Sequence, residues 1–175
     1  MPVSKLEFAQ HQLEKAGWDG HSPALAVLGS NQQLHCLGAD APGPWPVSTG
    51  AAGFGNRMGS NKTPTGLHQI KAKIGDGAPL GMVFRGRSAT GEICLQALPG
   101  HDVITSRILW LAGLEDGVNS GGSVDSAERY IYIHGTPDEE QLGSEVSAGC
   151  VRLGNRPVRT LFEWVRVGTM VIILS

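Results

Sequence analysis

Twenty-five glycines and ten prolines punctuate this chain of 175 residues. Glycine serves turns that need positive φ, and proline fixes φ and removes a backbone donor, so neither sustains a long regular element. The apolar runs between them are short. Residues 170–174 form one of the longest, far below the ~20 residues a membrane span needs. Short strands joined by many turns are expected, hence a mainly β, sandwich- or barrel-like fold. The length suits a single domain over residues 1–175, given roughly 100–200 residues per domain. With 41% apolar and 17% charged residues, the chain reads as globular rather than disordered.

Charge excludes further classes. The net charge is −2, with 8 Lys/Arg against 5 Asp/Glu over residues 1–87 and 6 against 11 over 88–175. Neither half is a basic block, so a reader of nucleic-acid backbones is not expected. The opening MPVSKLEFAQHQLEKAGW carries acids and lysines where a secretory leader has an apolar centre, so a cytoplasmic location and no membrane partner are expected. Cys36, Cys94 and Cys150 make an odd count without a CxxC, which argues against a disulfide framework or a zinc ribbon. No metal or other cofactor is expected.

A helix is expected near each end of the sequence. Ser4 to Glu7 reads as a capping box, followed by Leu6, Ala9, Leu13 and Ala16 at helical spacing over residues 5–16. Asn155 reads as a second helix cap, with Pro157 in the first turn and Val158, Leu161, Phe162 and Val165 as the buried stripe. Between them, strands are expected at residues 24–29, 32–38, 47–50, 67–74, 81–87, 91–98, 106–114 and 130–133, with a last strand at 169–174. Residues 51–66 and 115–128 read as long loops that frame a cleft.

Two residues stand apart from this scaffold. His134 falls where a strong strand runs into a Gly turn, and Cys150 follows the small residues Ser147, Ala148 and Gly149. A thiol becomes a useful nucleophile at neutral pH when a histidine removes its proton or lowers its pKa. A turn of small residues can aim successive backbone N–H groups at one point and so hold an oxyanion. From residue types alone the bland alternative stands beside this one, because a cysteine is most often a small buried hydrophobe. Cys36 and Cys94 read as strand residues.

Tyr130 to Thr136 (YIYIHGT) and Ser147 to Leu153 (SAGCVRL) resemble the signature of the L,D-transpeptidase (YkuD-type) catalytic domain. That signature is I-H-G-T, a loop, then S-x-G-C-[IV]-R-[ML]. Residues 46–50 (PVSTG), 63–66 (TPTG) and 168–171 (GTMV) resemble further family segments, so the likeness covers about residues 24–174. One departure is Ala148, where many members carry His.

The resemblance implies a cysteine-dependent enzyme acting on peptidoglycan stem peptides or muropeptides. Cys150 would be the nucleophile and His134 the base, oriented by a backbone carbonyl of Gly135 or Thr136. Ala148, Gly149 and Cys150 would supply the oxyanion N–H groups. Arg152, Arg129, Ser147 and Tyr132 would contact substrate. Joined to the absence of a leader-like opening, the resemblance implies an L,D-carboxypeptidase that trims tetrapeptide stems during recycling. The alternatives are an L,D-transpeptidase and an inactive stem-binding domain.

Overall fold

The structure, a computed structural model, describes residues 2–175. Helix α1 (Lys5–Lys15) is followed by strands β1 (Ala24–Leu28), β2 (Gln33–Leu37), β3 (Trp45–Pro46), β4 (Gly66–Ile74), β5 (Met82–Arg85), β6 (Ser88–Ile93), β7 (Ile104–Gly113), β8 (Tyr132–Gly135) and β9 (Val151–Leu153). Helix α2 (Asn155–Trp164) and strand β10 (Met170–Leu174) complete the order. The fold is mainly β, with a helix near each end of the sequence, as expected.

All ten strands belong to one sheet. Its path is β3-β2-β1-β10-β4-β7-β5-β6, and β8 branches from β7 to carry β9. Strand β1 pairs with β2 as an antiparallel hairpin and with β10 in parallel, which ties the two ends of the chain together. Strand β1 is buried along its whole length because both of its faces are covered. Leu25 and Val27 enter the main core, whereas Ala24, Ala26 and Leu28 pack with Ala9 and Leu13 of α1. A strand covered on both sides reads as a continuous apolar run, as ALAVL does. The capping box of α1 is present, with Ser4 and Glu7 bonded reciprocally. Val158, Leu161 and Phe162 of α2 close the main core over Leu109, Leu111, Ile133 and Val151.

Four expectations need correction. Residues 94–98 are loop, not strand: β6 ends at Ile93, its residues are exposed, and Cys94 lies beyond it. The expected strand 130–133 begins at Tyr132 and continues through His134 and Gly135. Tyr130 lies outside it at φ 54°, the left-handed region that costs a bulky residue energy. Asn155 is not the cap of α2. Gly154 takes that place, and the Asn155 side chain turns inward to donate to the Thr136 carbonyl oxygen at 3.0 Å and to accept from the hydroxyls of Thr105 and Ser106. Finally, PVSTG is only partly strand: β3 ends at Pro46, and Ser48 and Gly50 make isolated bridges to Arg152 and Ser147.

Candidate active site

Parallel pairing of β8 with β9 sets the site. Ile133 lies opposite Val151, and His134 opposite Arg152. Side chains alternate across a strand. Ile133, Val151 and Leu153 therefore face the main core, while Tyr132, His134 and Arg152 face the other side. Cys150, one residue before Val151, packs on that second side with Tyr132, Phe84 and Ile108. His134 and Cys150 are diagonal neighbours on one face, a spacing that side chains bridge across a sheet. The alternation that sends Ile133 and Val151 into the core thus presents the imidazole and the thiol together.

His134 is buried, and its Nδ1 lies 2.7 Å from the Gly135 carbonyl oxygen. A carbonyl only accepts, so Nδ1 carries the proton and Nε2 keeps its lone pair. The carbonyl is held in turn. Gly135 has no room for a Cβ, which would strike the Thr105 carbonyl oxygen, and Thr136 N–H donates to the Leu153 carbonyl oxygen at 3.0 Å. Burial lowers the His134 pKa, opposed by the bond to Gly135 and the charge of Asp102, and reinforced by Arg152.

The Cys150 thiol is half-buried. Its Sγ accepts from the Tyr132 N–H at 3.3 Å and donates to the Tyr130 carbonyl oxygen at 3.5 Å. Burial pushes its pKa up to about 11, against the pull of the Tyr132 N–H. Asp102 raises it further, while Arg152 and Arg129 lower it. Both groups therefore rest neutral at pH 7: a thiol beside a neutral imidazole, not a thiolate–imidazolium pair.

The turn before Cys150 is fixed from several directions. Ser147 exchanges backbone bonds with the segment around Gly50, and Thr63 Oγ1 donates to the Gly149 carbonyl oxygen at 2.9 Å. Gly149 sits at φ 123°, and a Cβ there would crowd the Lys62 carbonyl oxygen at 3.1 Å. Its N–H donates to Ser147 Oγ at 3.1 Å, so Gly149 leaves the expected oxyanion set. Ala148 and Cys150 remain its candidates.

The structure also revises three of the expected substrate contacts. Ser147 is buried, and its hydroxyl donates to the Cys150 carbonyl oxygen at 2.6 Å, so it shapes the turn. Arg129 donates to the carbonyl oxygens of Gly55 (3.2 Å) and Lys62 and pins the 51–66 loop. The ring of Tyr132 is buried wall, with Arg87 donating to its hydroxyl at 3.0 Å. Arg152 does meet a carboxylate, that of Asp102, at 2.7 Å.

Sequence reading missed the other wall. Loop 94–103 crosses in front of Arg152, and a cleft of about 350 Å³ lies between Leu98, Asp102, Thr136, Pro137 and Arg152. Pro99-Gly100 is the turn signal that marks this segment as loop. Arg87, at the tip of the β5–β6 hairpin, was also missed. Its guanidinium lies 4.9 Å from the Trp110 ring and 5.0 Å from that of Tyr130, and so joins the hairpin to the Cys150 side of the sheet. Among the described residues, no three His, Cys, Asp or Glu side chains converge as a metal site.

A branched β-sheet that carries a histidine on one strand and a cysteine in the turn that opens its parallel neighbour has the layout of a thiol-based acyl-transfer domain. The chain belongs to the L,D-transpeptidase catalytic domain (YkuD) family, whose model matches residues 29–173. YqjB of Bacillus subtilis (strain 168), named as an L,D-transpeptidase, is 51% identical over 45 residues, 26% of this chain and 26% of its own. Similar solved structures include L,D-transpeptidase 3 of Mycobacterium tuberculosis bearing a faropenem-derived adduct (TM-score 0.56, 16% identity, 88% of this chain and 60% of that one). Another is LdtMt1 in complex with imipenem (TM-score 0.52, 18% identity, 89% of this chain and 60% of that one). At that identity the likeness concerns the fold. The chain spans about three-fifths of the length of these structures.

Proposed function

We propose that the chain is an L,D-carboxypeptidase that removes the terminal D-alanine from peptidoglycan tetrapeptide stems through a thioester on Cys150. The observation that carries the reading is the bond from His134 Nδ1 to the Gly135 carbonyl, which leaves Nε2 as a base on the face that carries the thiol. Nε2 takes the thiol proton as Sγ attacks the carbonyl carbon of the third stem residue. The N–H groups of Ala148 and Cys150 hold the oxyanion. The C–N bond breaks, and His134 returns the proton to the leaving amine. Water, deprotonated by His134, then cleaves the thioester and frees the thiol.

Two observations support hydrolysis of short stems. The cleft beside Arg152 is about 350 Å³, room for the end of a short peptide, and loop 94–103 limits it on the outer side. Cytoplasmic trimming of stems returning from wall turnover is the setting we propose.

A second reading is transpeptidation or terminal exchange, with an amine in place of water. It is favoured by a hollow next to the cleft that is lined by Asp138 and Glu140, because an acceptor arrives as an ammonium ion. Incubation with a tetrapeptide ending in D-alanine, with and without a free D-amino acid, separates the two by product mass. Tripeptide and D-alanine support hydrolysis; exchanged or crosslinked product supports transfer. No turnover, with an unreactive Cys150, leaves only a stem-binding domain.

A further inference from the structure

We infer that Asn155 is a positioning residue for the base: its side-chain amide fixes the peptide that holds His134 in the tautomer able to take the Cys150 proton. The inference rests on the proposed acyl transfer at Cys150 and adds a residue that acts through His134 without touching substrate.

All four hydrogen-bonding positions of the Asn155 amide are filled. Nδ2 donates to the Thr136 carbonyl oxygen at 3.0 Å and to Glu139 Oε1 at 3.2 Å. Oδ1 accepts from the hydroxyls of Thr105 at 2.6 Å and Ser106 at 2.5 Å. A carbonyl and a carboxylate only accept, so the amide has one permitted orientation. Glu139 Oε1 also accepts from the Asn155 N–H at 2.8 Å and so ties the start of α2 to the same point. The residue is 4% exposed, so these bonds form away from water, where each counts for more.

The decisive contact is the one to Thr136. Strand β8 ends at Gly135, whose register partners are Thr105 and Leu153, and Thr136 is buried just beyond it. A buried carbonyl without a strand partner needs one from a side chain, and Asn155 supplies it. The peptide joining Gly135 to Thr136 is one rigid plane. Its N–H donates to the Leu153 carbonyl oxygen at 3.0 Å, and its carbonyl oxygen accepts from His134 Nδ1 at 2.7 Å. Holding the Thr136 carbonyl stops that plane from turning at its far end. Freed, the carbonyl would swing to seek a donor and carry the Gly135 oxygen off the imidazole. A ring without that acceptor can place its proton on Nε2, and an Nε2–H cannot take a proton from the thiol.

The other side of the amide reaches β7 where its register breaks, between Thr105 and Ile108. Ser106 stands there at φ 69°, a left-handed conformation that a serine holds only when its surroundings fix it. Its Oγ accepts from the Gly81 N–H at 2.9 Å while donating to Asn155. A chain of bonds thus runs from the root of the β5–β6 hairpin, through Ser106 and Asn155, to the peptide that orients His134.

Asn155→Asp tests this with little change of shape, because it sets an acceptor against the Thr136 carbonyl and Glu139. Thr105→Val removes one hydroxyl from Oδ1; it is the milder variant and decides the matter if Asn155→Asp does not fold. Val158→Ala, in the core stripe of the same helix, is the control for lost stability alone. Nitrogen NMR spectra of the histidine side chains read the tautomer without substrate, with His134 assigned by difference from the His134→Gln protein. The unmodified chain and Val158→Ala are expected to show a single Nδ1–H form, and Asn155→Asp and Thr105→Val a second form protonated at Nε2. In turnover, kcat is expected to fall about 10- to 100-fold in Asn155→Asp and about 3- to 10-fold in Thr105→Val, with KM within about 2-fold, the penalty of a misaligned group. A single Nδ1–H form in both variants overturns the positioning role. So does a kcat no lower than that of Val158→Ala, where the unmodified chain turns stems over. A tautomer change in a chain that turns over no stem keeps that role and sinks the carboxypeptidase; turnover with an unmoved tautomer does the reverse.

Discussion

His134 donates from Nδ1 to the carbonyl oxygen of its own neighbour, Gly135, at 2.7 Å. One backbone oxygen thus fixes the tautomer and the ring orientation, which a carboxylate does in many triads. A neutral orienting group adds no negative charge to stabilise an imidazolium. Together with burial, this keeps His134 neutral beside a neutral thiol.

The pH dependence follows from that pairing. Burial lowers the His134 pKa below its ordinary 6.5 and pushes that of the Cys150 thiol up to about 11. Acylation needs the imidazole free, so kcat/KM is expected to fall only on the acid side of pH 6.5 and to show no loss between pH 7 and 9. Alkylation of Cys150 by iodoacetamide is expected to keep rising towards pH 11. A rate plateau near pH 6, typical of a preformed thiolate, would contradict the neutral pair.

Substitution at the two groups separates chemistry from folding. Cys150→Ala and His134→Gln are expected to lose at least about 1000-fold in kcat/KM, since the nucleophile and base act as a unit. Cys150 is half-buried, so Cys150→Ala is expected to unfold within about 1 kcal/mol of the unmodified protein in urea. Retained turnover in Cys150→Ala would place the nucleophile elsewhere, and in His134→Gln the base.

Gly135 and Asn155 carry a different liability. A Cβ at Gly135 would drive β8 off the Thr105 carbonyl, with no flexible side chain to yield. Asn155 collects the hydroxyls of Thr105 and Ser106 and the Thr136 carbonyl beneath the same strand. Gly135→Ala and Asn155→Leu are each expected to cost about 3 kcal/mol or more, through overpacking and through stranded buried polar groups respectively. Denaturant unfolding checks both, and a cost under about 1 kcal/mol would show that β8 repacks freely.

Stability should depend on pH through buried histidines. His68 is fully buried between Ser126 Oγ and the Gly66 carbonyl, and burial takes its pKa from 6.5 to about 4. The unfolded chain binds that proton at pH values where the folded chain does not. Stability is therefore complete above pH 6.5 and falls as pH drops towards 4, by about 3 kcal/mol for His68 alone. His134 adds loss in the same direction. His68→Gln is expected to flatten the urea-midpoint profile between pH 4 and 6.5, and an unchanged slope would reject the assignment.

The legible parts of this molecule are those that local sequence dictates. The capping box at Ser4, the continuous apolar run of β1 and the buried stripe of α2 each follow from neighbours a few residues apart. His134 and Cys150 were legible in another way, through the resemblance of YIYIHGT and SAGCVRL to a family signature rather than through local spacing. What stayed hidden depends on distant partners. Asp102 meets Arg152 across 50 residues, and no spacing announces it. Asn155 reads as a cap because that is its commonest role, yet tertiary contacts take its amide inward. Tyr130 looks like strand by composition, but its backbone is bent to φ 54° where the chain turns onto the face that holds Cys150.

The most direct test of the account is the mass of the intact protein seconds after mixing with a tetrapeptide stem ending in D-alanine. A transient thioester of the tripeptide on Cys150 is expected, with D-alanine released in equal amount and decay of the adduct to free tripeptide. An unmodified protein, with stem intact and Cys150 no more reactive to iodoacetamide than Cys36, whose thiol burial raises to about 12, would contradict it.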